Sequence, residues 1–317
     1  MNLPILICAL SFLAPKASEG DVSQFGVLPS ATDPAINTFD TQHTVFVDSK
    51  VAPRNELVVF LPGTNGHTLG TTHFCSTAAE LGYQVIDLMY PDTISATTVR
   101  NSADPNAFLN FRLEIIEGRD LSPAVEVNRA NSVENRLVKL LLFLSKNRPT
   151  EGWSRYLNGS GQPVWEKIVI SGHSQGAGHA ALIAIRHKVA RAVLFGGPKD
   201  YDRHLNKPAA WYTTPATPTG RFFNFNHEQD HQGCDLKEQL EICHVMGMDK
   251  FGGAANVDTT ASPYNHSHIL TTNYPGTRIT SIMAHTSVSS DRTTPPAKGS
   301  GFLFEPVWRY MLTAAEN

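Results

Sequence analysis

The sequence contains no cluster of positive charge. Its 26 Lys and Arg residues are scattered among 29 Asp and Glu residues, which leaves a formal net charge of −3. A protein that binds a polyanion usually concentrates its basic residues on one face or along one helix. We therefore do not expect a nucleic acid partner.

Long hydrophobic runs are also absent, so no transmembrane segment is expected. The first 20 residues, MNLPILICALSFLAPKASEG, contain an apolar run from Leu3 to Leu13 that is followed by small and polar residues. This order is typical of a secretory signal peptide over residues 1–20, cleaved between Ala17 and Gly20, although its first residues include no Lys or Arg. An N-terminal strand is the alternative. The pattern predicts a secreted or periplasmic protein.

Cysteine is scarce, with four in 317 residues and no C-x-x-C pair of the kind that binds zinc. Removal of the signal peptide would leave Cys75, Cys234 and Cys243. The last two lie close together in CDLKEQLEIC. We predict a local disulfide between them, which would suit an oxidising compartment. Cys75 lies in a segment with helical spacing, where we expect a buried free thiol.

Internal repeats and low-complexity linkers are absent, so one domain over residues 21–317 is expected. Segments of β-type composition alternate with segments of helical spacing along most of the chain. The candidate strands are HTVFVD, LVVFL, YQVID, KIVI, RAVLF, RFFNFN and HILTTN. Runs that are apolar on both faces are typical of buried parallel strands. The alternation predicts an α/β protein with a mostly parallel central sheet and helices on both faces. The irregular segments 92–127 and 233–266 are expected to be loop insertions over the active site.

The segment GHSQG, Gly172 to Gly176, matches G-x-S-x-G and stands between a β-type run and a helical segment. In this setting a serine is held on a strained strand-to-helix turn, and the glycines remove side chains that would collide there. The helix after Ser174 also directs its free N–H groups at the site, which favours an anionic intermediate. We predict that Ser174 is a nucleophile. A glycine turn with an idle surface serine is the alternative.

Acyl transfer also requires donors for an oxyanion. These come from the residue after the nucleophile and from the loop after an earlier strand. FLPGTNG has the required position, so the backbone N–H groups of Thr64 and Gln175 are the candidates. Gly63 would let the backbone approach the serine closely. An ordinary Pro-Gly turn is the alternative for this motif.

With LVVFLPGTNG, IVISGHSQGAGH and the order of the elements around them, the chain from about Thr41 to the C-terminal helix resembles the α/β-hydrolase superfamily. The resemblance implies a triad in the order serine, acid, histidine. The acid would then fall in NHEQDHQG, where Asp230 is the first candidate and Glu228 the alternative. The histidine would follow the last strand. This favours His285 over the two earlier candidates, which are His266 and His268.

The segment HEQDH also matches H-E-x-x-H, a signature of zinc metalloproteases. Two zinc-binding histidines at i and i+4 require one helical face. This segment instead follows TTPATPTG, contains Phe residues and reaches Gly233 two residues after His231. It predicts a strand that leads into a loop, in which His227 and His231 are structural or line the pocket. A third ligand would have to come from Glu238, Glu241 or His244, so zinc proteolysis is kept only as an alternative.

These patterns together predict a serine hydrolase that cleaves a carboxylic ester through an acyl-enzyme, without a metal or organic cofactor. The substrate would be a small-molecule or polymeric ester. Two alternatives stay open at this stage. One is thioester or amide hydrolysis by the same residues, and the other is a non-catalytic binding protein of the same fold.

Overall fold

The computed structural model describes residues 22–276 and 279–315. The strands are β1 (Val22–Val27), β2 (His43–Asp48), β3 (Leu57–Leu61), β4 (Gln84–Asp87), β5 (Ile168–His173), β6 (Arg191–Phe195), β7 (Tyr201–Asp202), β8 (Lys207–Pro208), β9 (Phe222–His227), β10 (Ala254–Asn256) and β11 (Ile269–Thr272). The helices are α1 (Pro29–Thr32), α2 (Thr72–Glu80), α3 (Ala107–Glu117), α4 (Val133–Asn147), α5 (Gln175–Arg186), α6 (Leu236–Val245), α7 (Ser281–Ser287) and α8 (Glu305–Thr313). The predicted signal peptide lies outside the described residues and stays a prediction.

Nine of the described strands form one sheet, in the order β1-β2-β4-β3-β5-β6-β9-β11-β10. The pairs β1–β2 and β2–β4 are antiparallel, and the other neighbours are parallel. The prediction of a mostly parallel α/β sheet is therefore confirmed. Because parallel strands share one direction, the loops after β3, β5, β6 and β9 leave from the same edge of the sheet, where ligands of such sheets bind.

Helices cover both faces of the sheet. Alternate residues of β3 belong to opposite layers: Val59 and Leu61 pack in one core cluster, and Val58 and Phe60 pack in the other. The first cluster includes apolar residues of α3, α4 and α5, and the second includes those of α2 and α8. A strand that is buried on both faces needs apolar side chains at every position, which explains the unbroken run LVVFL. Within the described part of the chain, no helix is both long and apolar enough to cross a membrane.

The two irregular segments contain more structure than their patterns indicate. Helix α3 lies within residues 92–127, and α6 and β10 lie within residues 233–266. Helix α3 has buried residues around most of its circumference, including Arg112 and Glu114. A helix buried on several sides lacks the one-sided apolar stripe by which a surface helix is identified.

The predicted disulfide is wrong. Cys234 and Cys243 are both free and buried, as is Cys75 of α2, for which a buried thiol was expected. Cys234 precedes α6, and Cys243 lies near the C-terminal end of that helix, where its Sγ donates to Asn224 Oδ1 at 3.7 Å. A helix rises about 1.5 Å per residue, so it carries the two Cα atoms farther apart than the roughly 7 Å that a disulfide can span.

Candidate active site

Ser174 occupies the turn between β5 and α5 and is strained there. Its backbone has φ 55° and ψ −115°, a conformation that L-residues rarely adopt. Its N–H donates to Phe195 O at the end of β6, at 2.8 Å. The turn leaves no room for side chains at Gly172 and Gly176, because a Cβ on either would overlap the backbone carbonyl of Leu61. The local geometry thus presents the half-buried serine at the carboxyl edge of the sheet.

Asp230 and His285 lie in direct contact. Asp230 is in the loop after β9, His285 is in α7, and the distance from His285 Nδ1 to Asp230 Oδ2 is 2.7 Å. Both side chains are buried. Glu228, the alternative acid, is turned elsewhere: its Oε1 accepts hydrogen bonds from Asn256 Nδ2 at 2.7 Å and Thr271 Oγ1 at 3.0 Å. Of the two carboxylates, Asp230 is therefore the one that can orient an imidazole.

His285 packs against the residues that flank the serine. His173, which precedes Ser174, donates from Nε2 to the carbonyl of His285 at 2.8 Å, and the two ring centroids are 4.5 Å apart. A Cβ placed on Gly196 would lie 3.2 Å from His285 Cε1. Gly196 directly follows Phe195, whose carbonyl holds the N–H of Ser174. The serine, the imidazole and the carboxylate thus lie at one edge of the sheet.

Charge interactions set the protonation of this pair. Burial raises the pKa of Asp230, but the hydrogen bond from His285 and the charge of Lys199 outweigh burial and lower that pKa to about 2. Burial lowers the pKa of His285, and the nearby ammonium of Lys199 lowers it further, against the effect of Asp230. Burial also lowers the pKa of His173 to about 3. At neutral pH the site therefore holds an ionised carboxylate and a neutral imidazole that can accept a proton at Nε2.

The two predicted oxyanion donors belong to segments that adjoin Ser174. A Cβ on Gly63 would be 3.1 Å from Ser174 Cβ, so the loop after β3 closely approaches Ser174. Thr64 Oγ1 donates to Gln175 Oε1 at 3.1 Å, which joins this loop to the first residue of α5. Among the residues that the structure describes, neither the Thr64 nor the Gln175 backbone N–H has an acceptor. Both groups are therefore available to a ligand oxygen.

Asp92 fixes the loop that contains Thr64, a role that sequence reasoning missed. Its Oδ2 accepts from the N–H of Gly66 at 3.0 Å, and its carbonyl accepts from the N–H of Asn65 at 3.2 Å. Burial raises the pKa of Asp92 to about 7. Its position just after β4 was visible in the sequence, but its contact with the loop after β3 depends on the pairing of these two strands.

A buried ion pair stabilises the turn that contains Ser174. Sequence reasoning did not predict this pair either. Arg112 donates from Nε and Nη2 to the two oxygens of Asp200, each at 2.5 Å, and from Nη1 to the carbonyl of Gln175 at 3.0 Å. Trp211 Nε1 donates to the same carboxylate at 3.0 Å. Because Gln175 directly follows Ser174, this pair holds the first turn of α5 in place.

The HEQDH segment does not have the geometry of a zinc site. It begins at the last residue of β9 and continues as a turn, so its two histidines do not share a helical face. His227 Nδ1 accepts from the N–H of Gln229 at 3.0 Å, and its Nε2 donates to Tyr274 O at 2.9 Å, so neither nitrogen is free. His231 is exposed. The described residues contain no group of three or more His, Cys, Asp or Glu side chains that could hold a metal ion.

The remaining candidates have other partners. Glu238 pairs with Arg203, Glu241 accepts from Tyr201, and His244 pairs with Asp249. His268 is buried and stacked between Phe223 and Phe251, with ring centroids 4.1 Å and 4.2 Å away. His266 is exposed. None of these residues reaches Ser174 through a contact of the described structure.

No protein-family model matches the chain, and no curated protein is significantly similar to it.

Proposed function

We propose that the protein is a serine hydrolase of the α/β-hydrolase type that cleaves carboxylic ester bonds through an acyl-enzyme. The observation that carries the proposal is the strained backbone of Ser174 at the turn between β5 and α5. Strain of this kind persists only where the surrounding structure enforces it, and it concentrates at functional sites. The contact between Asp230 and His285 on the same edge of the sheet supports the proposal.

Each step has a candidate residue. Ser174 Oγ attacks the acyl carbon while His285 Nε2 takes the hydroxyl proton, and Asp230 keeps the Nδ1 proton in place. The oxyanion that forms accepts hydrogen bonds from the N–H groups of Thr64 and Gln175. His285 then returns the proton to the leaving alkoxide as the ester C–O bond breaks. Water, deprotonated by the same imidazole, attacks the acyl-enzyme, releases the acid and restores the serine.

Exposed apolar side chains on the segments that carry the candidate site favour an apolar ester. Four large apolar residues on the segments that carry the site are between 42 % and 55 % exposed. They are Leu69, Ile94, Ile282 and Met283. Ile282 and Met283 precede His285 on α7, and Ile94 lies between Asp92 and Ala96, whose N–H donates to Gln175 Oε1. Because these side chains are exposed on segments that also carry candidate site residues, we propose that they contact an apolar part of the ester.

The proposal is tested with a fluorophosphonate probe and p-nitrophenyl esters of graded chain length, together with a polymeric ester. Ser174→Ala should abolish labelling and lower turnover by about four to six powers of ten, because the nucleophile and base act as one unit. Ser160→Ala is the matched control, since Ser160 lies in an exposed loop and its hydrogen bonds within the described residues are to Asn158.

Three results would contradict the proposal. The probe could label another residue, Ser174→Ala could keep most of its turnover, or a chelator could abolish activity. Binding of esters by the wild-type protein without turnover or labelling would instead favour the non-catalytic alternative. Higher turnover of thioesters or amides than of matched esters would favour the alternative of thioester or amide hydrolysis by the same residues.

A further inference from the structure

Lys199 contacts both Asp230 and His285. Its Nζ donates to Asp230 Oδ2 at 2.6 Å and to the carbonyl of Gln232 at 2.9 Å, and it is 3.3 Å from His285 Nδ1. Only 9 % of the lysine side chain is exposed. A buried ammonium loses its hydration and needs compensating partners. Asp230 and Gln232 supply them, so the lysine is held in one place beside the imidazole.

Lys199 and His285 share one carboxylate oxygen. Asp230 Oδ2 accepts from both, while Oδ1 accepts from the N–H of Gln232 at 2.9 Å. The ionised carboxylate of Asp230 can only accept, so the 2.7 Å contact requires a proton on His285 Nδ1. His285 Nδ1 therefore keeps its proton and donates it to Asp230, which leaves Nε2 facing the substrate side as an acceptor. Lys199 then acts on the ring through its charge.

The charged and titratable groups that face the imidazole come from three elements. Asp230 comes from the loop after β9, Lys199 from the segment after β6, and His173 from the end of β5. His173 is neutral at ordinary pH, since burial lowers its pKa to about 3. The thiol of Cys234 near Lys199 is also neutral, because burial raises its pKa. The imidazole therefore lies beside a carboxylate whose charge is largely cancelled by an ammonium.

We propose that Lys199 is a positioning residue that keeps His285 unprotonated in mildly acidic conditions by opposing the charge of Asp230. The inference rests on the proposed function of His285 as the base. A positive charge near a histidine disfavours its protonated form, whereas a carboxylate alone favours it. The same opposition weakens the base, so Lys199 extends activity to lower pH at some expense of the maximal rate.

The test compares Lys199→Met with Lys199→Arg, which keeps the positive charge. With an activated ester, the ratio of kcat/KM at about pH 5 to that at about pH 8 should fall severalfold in Lys199→Met, because His285 is protonated earlier. Lys199→Arg should keep the wild-type ratio. Lys188→Met, which removes a charge from an exposed pair with Glu166, is the matched control and should also leave the ratio unchanged.

A second measurement does not depend on activity. Titration of ring ¹⁵N-labelled histidine, with His285 assigned from His285→Gln, should place the pKa of His285 below the ordinary histidine value in the wild type and higher in Lys199→Met. An unchanged titration in a folded Lys199→Met would overturn the inference. If that variant does not fold, a wild-type His285 that titrates at or above the ordinary value overturns it. Absence of Ser174-dependent turnover would contradict the proposed function but leave this titration decisive for Lys199.

Discussion

His285 and Asp230 are joined by a hydrogen bond of 2.7 Å although 55 residues separate them in the chain. The carboxylate lies in the loop after β9, and the imidazole lies on a short helix that follows the last strand. The bond selects the tautomer of His285 that carries its proton on Nδ1, and the burial of both groups protects the bond from water.

Asp230→Asn should lower turnover by about four powers of ten, because an asparagine would no longer hold His285 in its working tautomer. Glu228→Gln is the matched control. It keeps an oxygen for Asn256 and Thr271 and should cost little activity. Steady-state kinetics of both variants, with thermal unfolding to confirm folding, measure the difference. A tolerant Asp230→Asn variant together with an inactive Glu228→Gln variant would contradict the assignment of the acid.

Asp92 should make stability depend on pH. Burial raises its pKa from 3.8 to about 7, so the folded protein holds this proton more tightly than the unfolded chain does. This tighter proton binding adds to the free energy of unfolding. The added stability is fully present below about pH 4 and is lost as the pH rises through about 7. Asp92→Asn, which keeps an acceptor for the N–H of Gly66, should therefore gain stability relative to the wild type across this window and level off above it. Denaturant midpoints at several pH values measure the gain, and a constant difference between the two proteins would refute this role.

Arg112→Met should destabilise the fold by about 3–5 kcal/mol, because it leaves the carboxylate of Asp200 buried without its ionic partner. The surface pair of Arg119 with Glu117 offers the control, since Arg119→Met should cost at most about 1 kcal/mol. Urea unfolding gives both values. Equal losses of unfolding free energy in the two variants would show that the buried pair contributes no more to stability than the surface pair does.

Gly63→Ala should impair turnover more than stability. The new Cβ would lie 3.1 Å from both Ser174 Cβ and His173 Nδ1, which is closer than ordinary contact and would displace Ser174. Small displacements at a reacting centre cost up to about a hundredfold in rate. Gly159→Ala is the control, because nothing lies within 4 Å of the position of its new Cβ. Rates and melting temperatures of both variants separate the two effects, and equal rates would contradict the close approach of this loop.

The sequence by itself determined the features that depend on local patterns. Continuous apolar runs such as Leu57–Leu61 predict buried strands, and the helical segments around Cys75 and after Ser174 predict α2 and α5. GHSQG predicts a strand-to-helix turn, and the structure places Ser174 there at positive φ. The order of elements that the resemblance implied named Asp230 and His285 as candidates, but their contact is visible only in the structure.

Only the tertiary structure decided which distant side chains meet. Lys199 reaches a carboxylate 31 residues away because β6 and β9 are neighbours in the sheet. Asp92 reaches the loop after β3 for the same reason, through β4. The opposite case is Cys234 and Cys243, which are near in sequence but are kept apart by the length of α6. Local periodicity indicates which face of a strand or helix a residue occupies. Strand order and helix geometry set the distances between residues that are far apart in sequence. The strand order in turn depends on packing across the whole sheet.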